Sequence, residues 1–153
     1  MRETAAEMAA RLNLDPHVEG GSFRELYRDG MAENRPREAH GVIYYYLGAQ
    51  EDSDFHVLDS DEYWLYHAGT TLEIWIVDEQ GGLRVEKLGL DADAEPCVLL
   101  KGGTIFGARH LEGAQDGTLV SCVTVPEFTY ANYRILPKAE MLEKYPESAA
   151  FWR

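Results

Sequence analysis

The feature that most constrains this chain is a series of short apolar and aromatic runs, separated by turn residues, that fills the sequence from residue 42 onward. The runs span residues 42–47, 55–58, 63–67, 71–77, 83–88, 98–100, 104–106, 119–125 and 129–136. Short runs rich in Val, Ile, Tyr and Trp, with Gly81-Gly82 and Gly102-Gly103 between them, indicate antiparallel β-strands. Nine strands in roughly a hundred residues favour a closed barrel or a double-sheet jelly roll over an open sheet.

A short helix is predicted on either side of the strands. Thr4 and Glu7 have the spacing of a capping box, which predicts a helix over about residues 4–14. Pro137 suits a first helical turn, and the apolar residues after it predict a second helix over about 138–145. The expected organisation is therefore a single domain over residues 1–153, with the barrel at about 20–136.

The charge balance excludes several classes of partner. Fourteen Lys and Arg residues stand against 27 Asp and Glu residues, so the formal net charge is −13. Nucleic acids and anionic membranes bind clustered cations, and neither is expected as a partner. No apolar run has the length of a membrane helix and no secretory signal is recognisable, which predicts a cytoplasmic protein. Cys97 and Cys122 lack metal or redox spacing and are expected to be reduced and buried.

The most specific string runs from residue 56 to residue 69. Its spacing, His56-x-Leu58-x3-Glu62-x6-Gly69, resembles the first cupin motif, in which two His, a later Glu and a closing Gly span two strands. The second cupin motif would then fall on Lys101-x-Gly103-x-x-Phe106, where metal-binding cupins have Pro-x-Gly-x-x-His.

Further blocks narrow the resemblance to a small cupin-like family of unassigned function, whose members carry a His-Pro-Glu-Gly-Gly loop near the N-terminus. The corresponding segment here is His17-Val18-Glu19-Gly20-Gly21, with Val18 in place of the family's Pro. The resemblance implies an all-β fold, the cupin double-stranded β-helix or jelly-roll barrel with short terminal helices. It also implies a homodimer.

The resemblance leaves the cupin metal site incomplete. Only His56 and Glu62 carry over as ligands, because Leu58 and Phe106 occupy the positions of the other histidines and offer no donor atom. A metal-independent protein without a cofactor is therefore expected. The alternative is a metal-dependent cupin with a non-standard ligand set that includes His56 and Glu62.

Strand alternation predicts an aromatic-lined pocket for a small molecule. If Glu62 faces the interior, Trp64 and Tyr66 share its face, and Phe128 shares a face with Tyr130 and Asn132. The ligand-binding residues predicted in this way, or by the family's N-terminal loop, are His17, Glu19, Arg24, Tyr44, Tyr46, Trp64, Tyr66, Phe106, Phe128 and Asn132.

Three functions remain open at this point. The first is a cupin that only binds a small organic ligand. The second is an isomerase or epimerase acting on a sugar-like or small acidic substrate, with His56 as acid or base and Glu62 or Tyr130 as its counterpart. The third is a metal-dependent enzyme. The carboxylates from Glu51 to Glu62 predict a pocket entrance that repels anions unless Arg24 or Arg28 turns inward.

Overall fold

Two antiparallel sheets packed face to face make up most of the molecule. The computed structural model describes residues 2–27 and 37–152. Its strands are β1 (Asp15–Pro16), β2 (Ser22–Tyr27), β3 (Gly41–Leu47), β4 (Ser53–Leu58), β5 (Asp61–Gly69), β6 (Leu72–Val77), β7 (Leu83–Leu88), β8 (Cys97–Leu100), β9 (Phe106–His110), β10 (Thr118–Val125) and β11 (Tyr133–Ile135).

Strands that are distant in sequence lie side by side in both sheets. The described strands form a six-stranded sheet in the order β1-β2-β3-β10-β5-β8 and a five-stranded sheet in the order β11-β4-β9-β6-β7. In the larger sheet β10 pairs with both β3 and β5, so Cys122 lies opposite Ile43 on one side and Trp64 on the other. The predicted all-β jelly-roll fold is confirmed.

The main core lies between the two sheets. Its largest buried side chains include Tyr45, Trp64 and Phe106, together with the aliphatic residues of β6. A second apolar cluster, formed by Phe55, Trp75, Leu136, Met141 and Phe151, lies on the other face of the five-stranded sheet. Because both of its faces are covered, β6 is buried from Leu72 to Ile76 rather than at alternate residues, and the charged Glu73 is buried with its apolar neighbours.

Helices flank the sheets at both ends of the described chain. Helix α1 (Ala5–Arg11) begins with the predicted capping box, since Thr4 and Glu7 satisfy each other's backbone N–H groups. Helix α2 (Lys138–Lys144) is followed by a 3-10 helix at Pro146–Phe151 that covers the second cluster. None of the helices within residues 2–27 and 37–152 has the length and hydropathy needed to cross a membrane.

The strand predictions differ from the structure in four places. Strands β1 and β2 were not predicted, because β1 has only two residues and β2 mixes charged and apolar residues without regular alternation. Strand β9 begins at Phe106 and continues through Arg109 to His110, beyond the predicted 104–106 run. The predicted 129–136 strand is interrupted by a 3-10 helix at Tyr130–Asn132. Cys97 is exposed on the edge strand β8, whereas Cys122 is buried as expected.

Candidate functional site

A cavity of about 460 Å³ opens between the two sheets at one end of the sandwich. The six-stranded sheet contributes Phe23, Ile43 and Glu62 to its walls, and the five-stranded sheet contributes His56 and Tyr133. The volume is within the range of sites that hold small organic molecules. Its deepest polar side chains, Glu19, His56, Glu62 and Tyr133, are called the cavity floor below.

Glu19 reaches the cavity floor because two glycines let its loop turn sharply. Gly20 has a φ of +109°, and a Cβ atom there would stand 2.0 Å from the carbonyl oxygen of Asp52. The Glu19 carbonyl accepts a hydrogen bond from the N–H of Asp54 at 2.8 Å, which ties the loop to β4. The Glu19 carboxylate accepts hydrogen bonds from Ser53 Oγ at 3.2 Å and from Tyr133 Oη at 2.9 Å.

His56 is held in one orientation by its neighbours. Its Nδ1 lies 2.7 Å from the carbonyl oxygen of Asp54, so Nδ1 carries the proton and donates it. Its ring packs on Phe106, with the centroids 4.3 Å apart. Its Nε2 lies 3.5 Å from Oε2 of Glu19, so that a proton on Nε2 would join the imidazole and the carboxylate as an ion pair.

Glu62 is a carboxyl group in a largely apolar position. It is only 7% exposed, and its Oε1 accepts a hydrogen bond from Trp64 Nε1 at 2.9 Å. Burial raises the pKa of Glu62 to about 7; His56 acts in the opposite direction, and Glu19 raises it further. The Glu62 carboxyl therefore gains and loses its proton near neutral pH.

Three further groups near the floor stay neutral. Burial raises the pKa of the Cys122 thiol and of the Tyr133 hydroxyl, so both keep their protons. Burial also lowers the pKa of His17, against the attraction of Glu19. The Nδ1 of His17 accepts the backbone N–H of Glu19 at 3.2 Å, which leaves the proton of the neutral ring on Nε2.

Seven of the predicted site residues line the cavity. They are His17, Glu19, Arg24, His56, Glu62, Phe128 and Tyr130. Tyr130 is 56% exposed and lies at the rim, where it packs on Phe128 with the ring centroids 4.9 Å apart. Arg28 lies outside the described residues.

The other six predicted residues do not line the cavity: Tyr44, Tyr46, Trp64, Tyr66, Phe106 and Asn132. On β3 the inward-facing tyrosine is Tyr45, which is fully buried and donates to the carbonyl of Gly20 at 2.6 Å. Trp64 and Phe106 pack in the core behind the floor. Tyr66 donates to the carbonyl of Gly69, and Asn132 is exposed in the 3-10 helix, where it donates to Thr129.

Several cavity residues were not among the predicted site residues. Tyr133 lines the floor because the 3-10 helix before it interrupts the strand. The predicted alternation along a continuous strand had placed Asn132, rather than Tyr133, on the inward face. Cys122 and Thr124 line the wall from β10, and Glu127 from the loop that follows. The only sequence signal for Cys122 was the alternation of apolar residues along β10, which indicates that Cys122 faces the interior.

The described side chains do not fit the metal centre of the cupins that the motifs resemble. Leu58 lines the cavity and Phe106 lies behind it, so two of the positions that would supply imidazole ligands present hydrocarbon instead. Within residues 2–27 and 37–152 no group of three or more His, Cys, Asp or Glu side chains is arranged to hold a metal ion.

The double-sheet sandwich, together with a cavity that opens at one end between its sheets, defines a protein of the cupin class. The chain belongs to the family described as the cupin superfamily, DUF985, whose sequence model matches residues 6–136. No curated protein is significantly similar to it in sequence.

Solved structures include two similar proteins of nearly the same length. A crystal structure of a Shewanella oneidensis protein is 36% identical, with a TM-score of 0.85 over 97% of this chain and 94% of the other. A hypothetical protein of Leishmania major is 31% identical, with a TM-score of 0.84 over 97% and 96%. A cupin 2 domain-containing protein of Halorhodospira halophila shares the fold at 13% identity, with a TM-score of 0.63 over 91% and 87%.

Proposed function

We propose that this protein binds a small organic molecule in its cavity and requires no metal ion to do so. The observation that carries the proposal is the cavity of about 460 Å³, whose apolar walls surround the buried polar groups Glu19, His56 and Glu62. A few polar groups fixed inside an apolar pocket are the usual arrangement of a small-molecule site.

Purification without chelators provides the test. Native mass spectrometry is expected to show a bound small molecule that is released intact on denaturation, and elemental analysis is expected to find no stoichiometric metal. Stoichiometric iron, manganese, nickel or zinc that is lost in His56→Ala would contradict the metal-free part.

A cavity-filling variant tests the location. Ile43 lines the cavity, so Ile43→Trp is expected to abolish the mass shift of the bound molecule. Val85 is 42% exposed on β7, away from the cavity, and Val85→Trp serves as the matched control that keeps it. Retention of the bound molecule by a folded Ile43→Trp protein would place the binding elsewhere.

A second candidate function is acid–base isomerisation of the bound molecule. It is favoured by the presence in one cavity of two groups capable of proton transfer, Glu62, whose pKa is raised to about 7, and the imidazole of His56. With the released molecule as substrate, the enzyme would exchange a carbon-bound proton for deuterium in heavy water. His56→Gln is expected to abolish this exchange even at ligand concentrations that saturate the variant, and exchange at the wild-type rate in that variant would exclude the mechanism.

The proposal also includes a cytoplasmic location and a homodimeric state. Two described free cysteines, one of them exposed, are compatible with a reducing cytoplasmic location. A homodimer is supported by exposed apolar side chains on the six-stranded sheet.

A further inference from the structure

The guanidinium of Arg37 contacts two separate segments of the chain. Its Nη1 and Nη2 donate to the two carboxylate oxygens of Asp59 at 2.8 Å and 3.0 Å, and Nη2 also lies 3.0 Å from Oγ of Ser60. In addition, Nε and Nη2 donate to the backbone carbonyl of Glu127 at 3.2 Å and 2.6 Å. The planar guanidinium thus binds a carboxylate and a backbone carbonyl at once.

Both segments that Arg37 contacts lead into the cavity wall. Asp59 and Ser60 form the turn between β4 and β5. Those strands carry His56 and Glu62 of the cavity floor and belong to different sheets, so the turn connects the two sheets. The other segment, residues 127–130, supplies three side chains to the lining of the cavity and is called the wall loop below.

The wall loop follows the end of β10 and is bound by the backbone and side chain of the segment at Arg37. The N–H of Glu127 donates to the carbonyl of Glu38 at 3.1 Å, and its carbonyl accepts the hydrogen bonds from Arg37. Both backbone groups of Glu127 are therefore bound by residues 37 and 38. The loop also packs on the five-stranded sheet, since the ring centroids of Phe128 and Tyr133 are 5.1 Å apart.

We propose that Arg37 is a positioning residue for ligand binding, whose guanidinium holds the wall loop against the β4–β5 turn and thereby fixes the shape of the cavity. Arg37 does not line the cavity, so it acts through the wall loop rather than by touching the ligand. The inference rests on the proposed function, since it assigns the residue that keeps the same cavity in its binding form.

The contacts of Arg37 are strong enough to fix a backbone segment. Hydrogen bonds from a charged donor are stronger than those between neutral groups, and the bidentate pairing with Asp59 orients the guanidinium toward Glu127. The hydrogen bonds from Arg37 lower the pKa of the Asp59 carboxyl, so the pair stays charged at neutral pH. When these contacts are lost, the apparent affinity falls with the fraction of molecules whose wall loop is in place.

An arginine suits this position better than a lysine. The compact ammonium group of lysine can pair with the Asp59 carboxylate, but it lacks the planar fork that spans Asp59 and the Glu127 carbonyl. Arg37→Lys is therefore expected to keep the charge and to restore only part of the binding that Arg37→Met loses.

Titration with the molecule released from the wild-type protein, followed by native mass spectrometry, tests the inference. Arg37→Met is expected to weaken binding of that molecule about tenfold or more, and Arg37→Lys by a smaller factor. Arg84→Met is the matched control and should bind as the wild type does. Arg84 also pairs with a carboxylate, that of Glu86, but it lies on β7, does not line the cavity, and its loss changes the net charge equally.

Hydrogen exchange in the ligand-free proteins gives a second measurement. Exchange in residues 127–130 should be faster in Arg37→Met than in Arg84→Met, while exchange in β6 stays the same in both. Wild-type affinity in a folded Arg37→Met protein, or unchanged exchange in the wall loop, would overturn the positioning role and leave the proposed function standing. If Arg37→Met does not fold, wild-type affinity in Arg37→Lys would overturn the positioning role. Binding of no molecule by the folded wild-type protein would overturn both.

Discussion

Glu62 is the side chain in which the conflict between burial and charge is strongest. Its carboxyl group lies in the cavity wall, packs beside Trp64, and holds its proton up to about pH 7 in the folded protein. In the unfolded chain the same group releases its proton near pH 4.5. The folded state therefore binds more protons than the unfolded state between these two values, and stability falls as the pH rises through this window.

Substitution of Glu62 by Gln is expected to remove that fall. Relative to wild type, Glu62→Gln should gain stability from pH 4.5 to 7, by an amount on the order of 3 kcal/mol. Urea unfolding at a series of pH values measures the difference. Glu112→Gln is the control for net charge, because Glu112 is exposed in a turn. If the difference in stability between wild type and Glu62→Gln did not change with pH, Glu62 would not be a buried acid with a raised pKa.

The Gly20 backbone should be as important to the cavity floor as the side chains are. Gly20→Ala places a Cβ atom 2.0 Å from the Asp52 carbonyl oxygen at a φ of +109°, so the loop that carries Glu19 has to move. Gly81→Ala is the matched control, because Gly81 also has a positive φ but nothing lies within 4 Å of its added Cβ.

The control is expected to cost about 1 kcal/mol from backbone strain alone, and Gly20→Ala clearly more. Thermal unfolding gives both values, and native mass spectrometry of the bound molecule shows whether the floor is lost. Equal effects of the two substitutions would show that the close approach of Gly20 to Asp52 does not matter.

For single residues, the sequence predicted burial where it follows from strict alternation along a strand. On β5, Glu62 and Trp64 are buried and Tyr63 is exposed, as the period of two requires. The sequence did not predict which face of β3 turns inward. Tyr44, Tyr45 and Tyr46 put a tyrosine on both faces of the strand, so alternation alone does not distinguish the two faces. Tyr45 takes the interior because its hydroxyl finds the Gly20 carbonyl, a partner 25 residues away.

Among the elements, the 3-10 helix at Pro146–Phe151 is hydrogen-bonded to the five-stranded sheet through Arg109, in addition to the packing of Phe151 on Phe55 and Trp75. Arg109 of β9 donates its Nη1 to the carbonyls of Ala150 and Phe151, each at 2.8 Å, and its Nε to Glu73 of β6 at 3.1 Å. Its guanidinium also lies 4.5 Å from the ring centroid of Trp75. The second apolar cluster stays covered because this buried arginine holds the segment in place.

Arg109→Met is expected to destabilise the protein by about 3–5 kcal/mol, because Glu73 is left buried without its partner. Hydrogen exchange in residues 146–151 should accelerate more than exchange in the six-stranded sheet. The double variant with Glu73→Gln should recover part of the loss. Lys87→Met breaks the more exposed Lys87–Asp93 pair and should destabilise the protein far less than Arg109→Met does, because solvent screens that pair. Unchanged exchange in residues 146–151 would contradict this role.

Strand β9 shows why some elements escape a pattern-based prediction. After Phe106 its sequence is Gly-Ala-Arg-His, which has neither apolar alternation nor high strand propensity, yet these residues are buried. The arginine is buried by its contacts with Glu73 and the C-terminal carbonyls, and His110 by Thr118. Such partners lie far away along the chain and leave no local signal.

For the molecule as a whole, the outer face of the six-stranded sheet carries adjacent exposed apolar side chains. Tyr63 of β5 is paired in register with Leu99 of β8 and with Val123 of β10, and Val125 follows on the same strand. Tyr63, Leu99 and Val125 are each about 40% exposed: 39%, 41% and 45%. An apolar patch of this kind on a folded surface is typical of an interaction site, and we propose that two copies pair through it.

Tyr63→Lys combined with Leu99→Asp is expected to convert the dimer to a monomer, because each copy would then place charges in the contact. Light scattering coupled to size exclusion measures the mass, and Val85→Asp on the opposite sheet is the control that remains dimeric. A wild-type protein that elutes at the 17.3 kDa mass of one chain would show that the patch does not pair two copies.

Glu19 joins the two sheets as well as lining the cavity. Its loop leads into β2 of one sheet, while its carboxylate accepts hydrogen bonds from Ser53 of β4 and Tyr133 of β11 in the other. A mutation that alters the chemistry of the floor at Glu19 also removes the acceptor to which the hydroxyl groups of Ser53 and Tyr133 donate. Among relatives, these three positions are therefore expected to vary together, and a change of ligand class would require coordinated substitutions in both sheets.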